Sequence, residues 1–223
     1  MAEFNIRGGL GTQILSLCAC YAIAIEKNQT VSKLIFNHGS YTADTKDPDI
    51  VFVDSILGFK NKPEYAIVNG TSKTSPFVRS NANLIIKHWD AIQQEVFLKK
   101  KYRQTSENIV HIRQKDRAIV SIEKFDKLIS NDTVVISDDP LVYKRYGIEA
   151  VDDTVGDWER MCSAASVIGG YSTYTLIAGM LNQNLKLSII RKEDSVSNML
   201  TEEDWNVLHM YVDFFPNIKW ISL

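Results

Sequence analysis

The amino-acid sequence predicts an α/β protein with two domains, each built on a parallel sheet with flanking helices. From residue 108 onward, short apolar runs of strand length alternate with helical stretches. Strands joined through helices in this way form right-handed units with parallel strands. A similar strand-to-helix start occurs near residue 8, about a hundred residues earlier, which is an ordinary domain length. We therefore predict a reduced N-terminal domain over residues 1–103 and a C-terminal domain over residues 104–223.

The composition is that of a folded globular protein and disfavours several functional classes. Hydrophobic residues make up 45% and charged residues 23% of the 223 positions, a balance that can bury a core. The net charge of -2 gives no indication of nucleic-acid binding. The longest apolar stretch, residues 14–25, is too short to span a membrane. No secretory signal precedes the first predicted strand and the three cysteines form no disulfide pattern, so we expect a cytoplasmic protein.

In the N-terminal domain, the sequence predicts a strand, a glycine turn and a long buried helix in succession. The strand covers residues 3–7 and the turn residues 8–11. Residues 12–26 are apolar nearly all round, which indicates a helix covered on several sides. Residues 58–83 contain Gly, Pro, Ser and Asn throughout and are predicted to be irregular. Further strands are predicted at 33–37 and 50–53, a helix at 89–99 and a polar, basic linker at 99–106.

In the C-terminal domain, strands and helices alternate regularly. Residues 201 and 204, Thr and Asp, have the spacing of a capping box at the start of the last helix. The predicted strands are 109–113, 133–136, 148–151, 165–169 and 186–190, and the predicted helices are 122–129, 140–146, 157–162, 175–181 and 201–214.

The first candidate motif is the glycine turn between the first strand and the first helix. Residues 8–13 read Gly-Gly-Leu-Gly-Thr-Gln. Glycines at such a turn let the backbone approach a ligand closely. The stretch lacks the spacing of a dinucleotide-binding fingerprint and the lysine of a phosphate-binding loop. On its own, it predicts only a tight strand-to-helix turn.

The second motif is a basic strand end that contains His111 and Arg113. Ligands of open parallel sheets bind at the carboxyl ends of the strands. Alternate residues of a strand share one face, so both side chains can point into one cleft. Arginine suits a phosphate because its guanidinium group stays charged and donates paired hydrogen bonds. The alternative is a structural ion pair between Arg113 and Asp116.

The third motif, Ser-Asp-Asp-Pro, follows the predicted strand at 133–136. The carboxylates of Asp138 and Asp139 at a strand end can hold a ribose, a base edge or a metal ion. Pro140 suits the first position of a helix, so one of the two aspartates can instead be its N-cap. These residues alone leave both interpretations open.

The fourth motif is the turn Gly-Tyr-Ser-Thr at residues 170–173, between a predicted strand and an apolar helix. Such a turn presents backbone N–H groups and the hydroxyls of Ser172 and Thr173 at a helix N-terminus. The helix dipole favours an anion at that place. The alternative is that one of these hydroxyls is only an N-cap.

Together, and in this order, the four motifs resemble those of the fucosyltransferases of the α-1,2, α-1,6 and protein O-fucose group. The similarity rests on GGLGTQ at 8–13, HIRQKD at 111–116, SDDP at 137–140 and YST at 171–173. It implies a GT-B type fold of two Rossmann-like domains and inverting transfer of fucose from GDP-fucose to a glycan. The chain differs from the family pattern at Thr12, where the family has Asn, and at Gln114, where it has a second Arg.

The chemistry of sugar transfer from a nucleotide diphosphate also suggests roles for individual residues. Arg113, Ser172 and Thr173 are expected to stabilise the charge on the leaving diphosphate. Asp116 is the candidate base that takes the acceptor proton, or else orients Arg113, and Glu123 is a second candidate base.

The expected substrate contacts are shared between the two domains. The resemblance implies that His111, with Asp138 or Asp139, holds the ribose and guanine. The remaining substrate-binding candidates are Gly9, Gly11, Gln13 and Tyr171. No metal and no cofactor besides the sugar-nucleotide donor are expected. Two other hypotheses stay open: a transferase that uses a different nucleotide sugar, with a metal on Asp138 and Asp139, and a homologue that binds a nucleotide or glycan without turnover.

Overall fold

A computed structural model describes residues 1–6, 9–38, 58–69, 81–96, 102–114, 120–149, 154–194 and 200–223. These residues form two compact units, Met1–Lys101 and Tyr102–Leu223. Each unit contains its own parallel sheet with flanking helices, a mixed α/β architecture compatible with a Rossmann-like fold. The predicted boundary at 103/104 and the GT-B arrangement of two domains stay predictions.

In the described part of the first unit, three parallel strands lie in the order β1-β2-β3. The helix after β1 is the most enclosed element of this unit. It packs against β1, β2 and both later helices, so nearly every side of it is buried, as its apolar sequence predicted. The elements are β1 Ala2–Ile6, α1 Leu10–Glu26, β2 Val31–His38, β3 Glu64–Asn69, α2 Ala82–Lys87 and α3 Trp89–Val96.

The prediction that residues 58–83 are irregular is wrong for Glu64–Asn69 and for the start of α2 at Ala82, whereas the described residues 58–63 lie in no helix or longer strand. Glu64–Asn69 forms β3, and its residues pair in register with Lys33 to His38 of β2. The strand is therefore stabilised by a distant partner, which the Gly- and Pro-containing local sequence does not reveal. The predicted strand at 50–53 and the end of the predicted helix, at 97–99, lie outside the described residues.

In the second unit, the described strands are all parallel and lie in the order β5-β4-β6-β7-β8. The chain passes from β4 to β5 on one side, then crosses back over β4 to β6 on the other side. The strands are β4 Asn108–Ile112, β5 Thr133–Ser137, β6 Ser166–Gly169, β7 Lys186–Ile190 and β8 Ile218–Ile221.

The helices of the second unit begin mostly where the sequence predicts. The capping box of the last helix is confirmed: Thr201 Oγ1 accepts from the Asp204 amide at 3.2 Å, and an Asp204 carboxylate oxygen accepts from the Thr201 amide at 2.8 Å. The helices are α4 Pro140–Tyr146, α5 Thr154–Ser163, α6 Thr173–Leu181 and α7 Glu202–Phe214, with single 3-10 turns at Ile122–Phe125 and Lys192–Asp194.

Two predicted elements of this unit are wrong. The helix predicted at 122–129 is only a 3-10 turn, because its amides bond three residues back, as Lys124 N does to Ser121 O. Ile148 and Glu149 are not in a strand. Instead, the Ile148 amide donates to Tyr143 O at 2.9 Å and so caps the C-terminus of α4. Gly147 makes this possible, since it adopts a left-handed conformation with φ 66°.

The sequence did not predict β8. Its four residues pair with Leu187 to Ile190 of β7 and complete the described sheet at one edge. Among the described residues, no helix combines the length and apolarity needed to cross a membrane.

Candidate functional site

The strand order of the second unit reverses between β4 and β6. The connection that leaves β4 leads to β5 on one side, whereas the connection that leaves β6 leads to β7 on the other. In open parallel sheets, ligands bind at the carboxyl ends of the strands that flank such a reversal. Arg113 follows β4, Asp138 follows β5 and Ser172 follows β6. The topology thus brings three of the predicted motifs to one edge of the sheet.

The Arg113 guanidinium group lies between the other two residues. Its Nη1 is 3.5 Å from Ser172 Oγ, at the outer limit of a hydrogen bond, and its Nε is 3.8 Å from an Asp138 carboxylate oxygen. About a third of each of the Arg113 and Asp138 side chains is exposed, at 31% and 32%. A ligand in solvent can therefore reach the cation, which is oriented by contacts on two sides.

The two aspartates of the third motif have different roles in the fold. Asp139 is the N-cap of α4, since its carboxylate accepts from the Leu141 amide at 2.9 Å. Asp138 instead accepts from the Gln114 amide at 2.8 Å, which ties the end of β5 to the end of β4. The N-cap interpretation thus holds for Asp139, while Asp138 lies beside the guanidinium group of Arg113.

Ser172 is the N-cap of α6, and its Oγ accepts from the Tyr174 amide at 3.3 Å. The same oxygen is the Ser172 atom that the Arg113 guanidinium group contacts. Thr173 is the first helical residue. The cap therefore places a hydroxyl, a helix N-terminus and a guanidinium group close together, a combination that suits an anion such as a phosphate.

His111 lies behind this group and is buried, with 6% of its surface exposed. Its Nδ1 is 2.7 Å from Thr175 Oγ1 of α6, and its ring is 5.8 Å from that of Tyr174. Burial lowers the pKa of His111 to about 4, and the positive charge of Arg113 acts in the same direction. The imidazole is therefore neutral at physiological pH.

The remaining predicted residues lie apart from this group or outside the described chain. Gly9 is the N-cap residue of α1, with Gly11 and Gln13 buried in its first turns, so all three belong to the first unit. The Tyr171 ring is 6.4 Å from that of Trp205 on α7. Asp116, the candidate base, lies outside the described residues.

Three residues that build this edge were not predicted as site residues. Thr175 bonds to His111, and Gly169 lies against the His111 backbone. Gln114 Nε2 donates to Val120 O at 2.9 Å and so joins the two sides of the segment 115–119. Thr175 had one available signal: it is a polar residue within an otherwise apolar helix.

No protein-family model matches the chain, and no curated protein matches it. The sequence resemblance to fucosyltransferases therefore rests on the four motifs alone. Within the part of the chain that the structure describes, no group of three or more His, Cys, Asp or Glu side chains is arranged to hold a metal ion.

Proposed function

We propose that this protein is a fucosyltransferase-like glycosyltransferase that transfers fucose from GDP-fucose to a glycan with inversion. The observation that carries this proposal is the position of Arg113 between Ser172 and Asp138 at the reversal of the strand order. The order of the four motifs supports the resemblance to fucosyltransferases, and the convergence of three strand ends supports the proposal that a diphosphate binds there.

In the proposed reaction, an acceptor hydroxyl oxygen attacks the anomeric carbon of the sugar. The bond from that carbon to the phosphate oxygen breaks, and GDP leaves with the bonding electron pair. Negative charge then builds on the leaving phosphate, where the Arg113 guanidinium group and the α6 N-terminus stabilise it without a metal. The acceptor proton passes to a base, for which Asp116 is the candidate.

A second candidate function is nucleotide or glycan binding without turnover. Gln114 supports it, because the resembled family has a second arginine at this position. The Gln114 side chain instead donates to the Val120 carbonyl group and provides no charge. With one cation fewer beside the leaving group, a nucleotide can bind while transition-state stabilisation is reduced.

Thermal shift with GDP, UDP and ADP, each with and without Mn²⁺, tests the choice of donor. GDP should stabilise the protein by about 3 kcal/mol at a hundredfold excess over its dissociation constant, with no requirement for Mn²⁺. A shift with UDP and none with GDP would indicate a transferase of another nucleotide sugar. No shift with any nucleotide would contradict the proposed function.

Hydrolysis and transfer of GDP-fucose then separate the enzyme from the binding protein. The matched comparison is Arg113→Ala against Arg160→Ala. Arg160 is paired with Glu107 at the amino end of β4, at the opposite edge of the sheet. We expect turnover in the wild type and in Arg160→Ala, and its loss in Arg113→Ala. Binding of GDP without any turnover in the wild type would favour the second candidate.

A further inference from the structure

We infer that His111 is a positioning residue, whose buried hydrogen bond with Thr175 fixes the distance between Arg113 and Ser172. This hydrogen bond joins the carboxyl end of β4 to the first turn of α6. The identity of the ligand rests on the proposed function, whereas the effect of His111 on Arg113 does not. This role differs from the ribose or guanine contact that the sequence resemblance implies.

The positions of the four residues along the chain support this inference. His111 precedes Arg113 by two positions, which places both on the same side of the extended chain. Thr175 follows Ser172 by three positions, so both face the same way at the start of α6. The 2.7 Å contact between His111 and Thr175 therefore runs beside the 3.5 Å contact between Arg113 and Ser172. A change in the first contact is transmitted directly to the second.

The contact between His111 and Thr175 is shorter than that between Arg113 and Ser172, and it is better shielded from solvent. His111 and Thr175 are buried, with 6% and 1% of their surfaces exposed, whereas the Arg113 side chain is 31% exposed. The His111 ring faces Tyr174, which in turn packs on Trp158 of α5 at a ring distance of 5.2 Å. Ser172 is also buried, with 4% of its surface exposed, so the Arg113 side chain is the member of these two contacts that can exchange solvent for a ligand.

Gly169 sets the close approach of β4 and β6 at the same point. A Cβ atom on Gly169 would lie 3.2 Å from His111 O, 3.4 Å from His111 Cβ and 3.7 Å from a Thr175 methyl group. The first of these neighbours is backbone and cannot rotate away. The sequence therefore keeps a glycine where the histidine backbone, the threonine and the sheet meet.

A neutral imidazole suits this position. It has one donor and one acceptor nitrogen, so its Nδ1 can pair with a hydroxyl in either direction. A protonated ring would place a second positive charge beside Arg113 in a buried site. Burial and the charge of Arg113 both lower the pKa of His111, to about 4, and the ring contacts the Tyr174 ring and the Thr175 hydroxyl of α6.

The test uses ligand-free protein first. Thr175→Val removes the hydroxyl at nearly constant volume, and Thr133→Val is the control, since its hydroxyl bonds to Ser130 at the amino end of β5. We expect the side-chain Nε–H signal of Arg113 in ¹H–¹⁵N spectra to move in Thr175→Val and to stay in Thr133→Val. An unchanged signal in folded Thr175→Val would overturn the inference, whatever the protein binds.

His111 itself is tested by substitution with and without a hydrogen-bonding atom. Asn carries a polar atom near the position of Nδ1, whereas Leu does not. We expect His111→Leu and Thr175→Val each to weaken GDP binding about tenfold, the size of one lost buried hydrogen bond. His111→Asn should retain most of the affinity, and the Leu/Val double variant should be no weaker than either single variant.

Failure of the proposed function and failure of the positioning role of His111 give different results. Absence of GDP binding by the wild type contradicts the proposed function and leaves the Arg113 signal to decide the role of His111. Normal GDP affinity in folded His111→Leu, or additive effects in the double variant, would instead overturn the positioning role. The imidazole ¹⁵N shifts add a direct check, because His111 should stay neutral at pH 6.

Discussion

Two strand-to-helix turns of this molecule have similar sequences but differ in how their helices begin. At α6, the Ser172 hydroxyl accepts from a first-turn amide, and Arg113 lies beside it. At α1, Gly9 is the N-cap residue, and no side-chain hydrogen bond caps the helix. A glycine N-cap leaves the first-turn amides to a ligand or to water, whereas a serine cap uses one of them internally. At the start of α6, an anion would therefore meet the Arg113 cation, whereas at the start of α1 it would depend more on the backbone amides.

The largest expected effect follows from the cation at α6. Arg113→Ala should reduce turnover of GDP-fucose about a hundred- to a thousandfold, because it removes a donor that acts on charge developing in the transition state. Ground-state binding of GDP should fall less. Arg113→Lys should recover only part of the rate, since a point charge lacks the paired geometry. Steady-state transfer kinetics measure the effect, and an Arg113→Ala enzyme with normal turnover would remove the residue on which the proposal depends.

Asp116→Asn separates the two roles that the sequence leaves open for Asp116. If Asp116 is the base, turnover should fall as far as in Arg113→Ala, and the acid limb of the pH–rate profile should change. If it only orients Arg113, the loss should be milder and the profile should keep its shape. Transfer rates from pH 5 to 9 distinguish the two outcomes.

The next effect concerns the buried histidine behind α6. His111 has a folded pKa of about 4 against 6.5 for an ordinary histidine, so between these pH values the unfolded state binds a proton that the folded state does not. The free energy of unfolding should therefore fall as the pH decreases from 6.5 towards 4, by an upper estimate of about 3 kcal/mol. His111→Asn should lack this loss. Denaturant unfolding of both proteins at each pH gives the difference, and parallel curves would show that burial of His111 is not coupled to folding.

The sequence predicted those features that depend on near neighbours. The capping box of α7 was predicted because Thr201 and Asp204 are three residues apart, and α4 because Pro140 suits the first position of a helix. The position of Arg113 at a strand end was also predictable, since it required only the pattern of one strand.

Features that depend on distant partners were not predicted. Strand β3 exists because it pairs with β2, and β8 because it pairs with β7. The bond between His111 and Thr175 joins residues 64 positions apart, so no local pattern indicates it. For the same reason, the sequence could not assign the role of Asp138, whose partner Gln114 is 24 positions away, whereas Asp139 caps an amide only two positions away.

Substitution of Gly169, which lies beside the turn before α6, should have a moderate effect on the free energy of unfolding. Gly169→Ala places a methyl group 3.2 Å from His111 O, and relief requires β4 and β6 to separate. We expect a loss of about 1–3 kcal/mol in the free energy of unfolding, as for other overpacked sites. The control is Gly9→Ala, because a Cβ atom there meets no atom within 4 Å. Equal stability of the two variants in denaturant unfolding would mean that the strands are not held at this distance.

The smallest effect comes from exchanging the two kinds of N-cap. Gly9 has φ -68° and ψ 168°, an extended conformation that a serine N-cap also adopts, and the space around it is open. Gly9→Ser should therefore stabilise the ligand-free protein by about 0.5 kcal/mol, through a new cap and a less flexible unfolded chain. The added hydroxyl would also accept from the first-turn amides of α1, so a decrease in affinity for GDP-fucose would support the expectation from the sequence that this turn contacts the donor. Gly147→Ala is the contrasting control. Its φ of 66° disfavours a side chain, so the substitution should destabilise the protein without changing the affinity for GDP-fucose.

Denaturant unfolding measures the stability of these variants, and calorimetric titration measures their affinity for GDP-fucose. A Gly9→Ser protein that is more stable and binds GDP-fucose as tightly as the wild type would show that the α1 amides do not contact the donor, and would leave the α6 turn as the proposed diphosphate site.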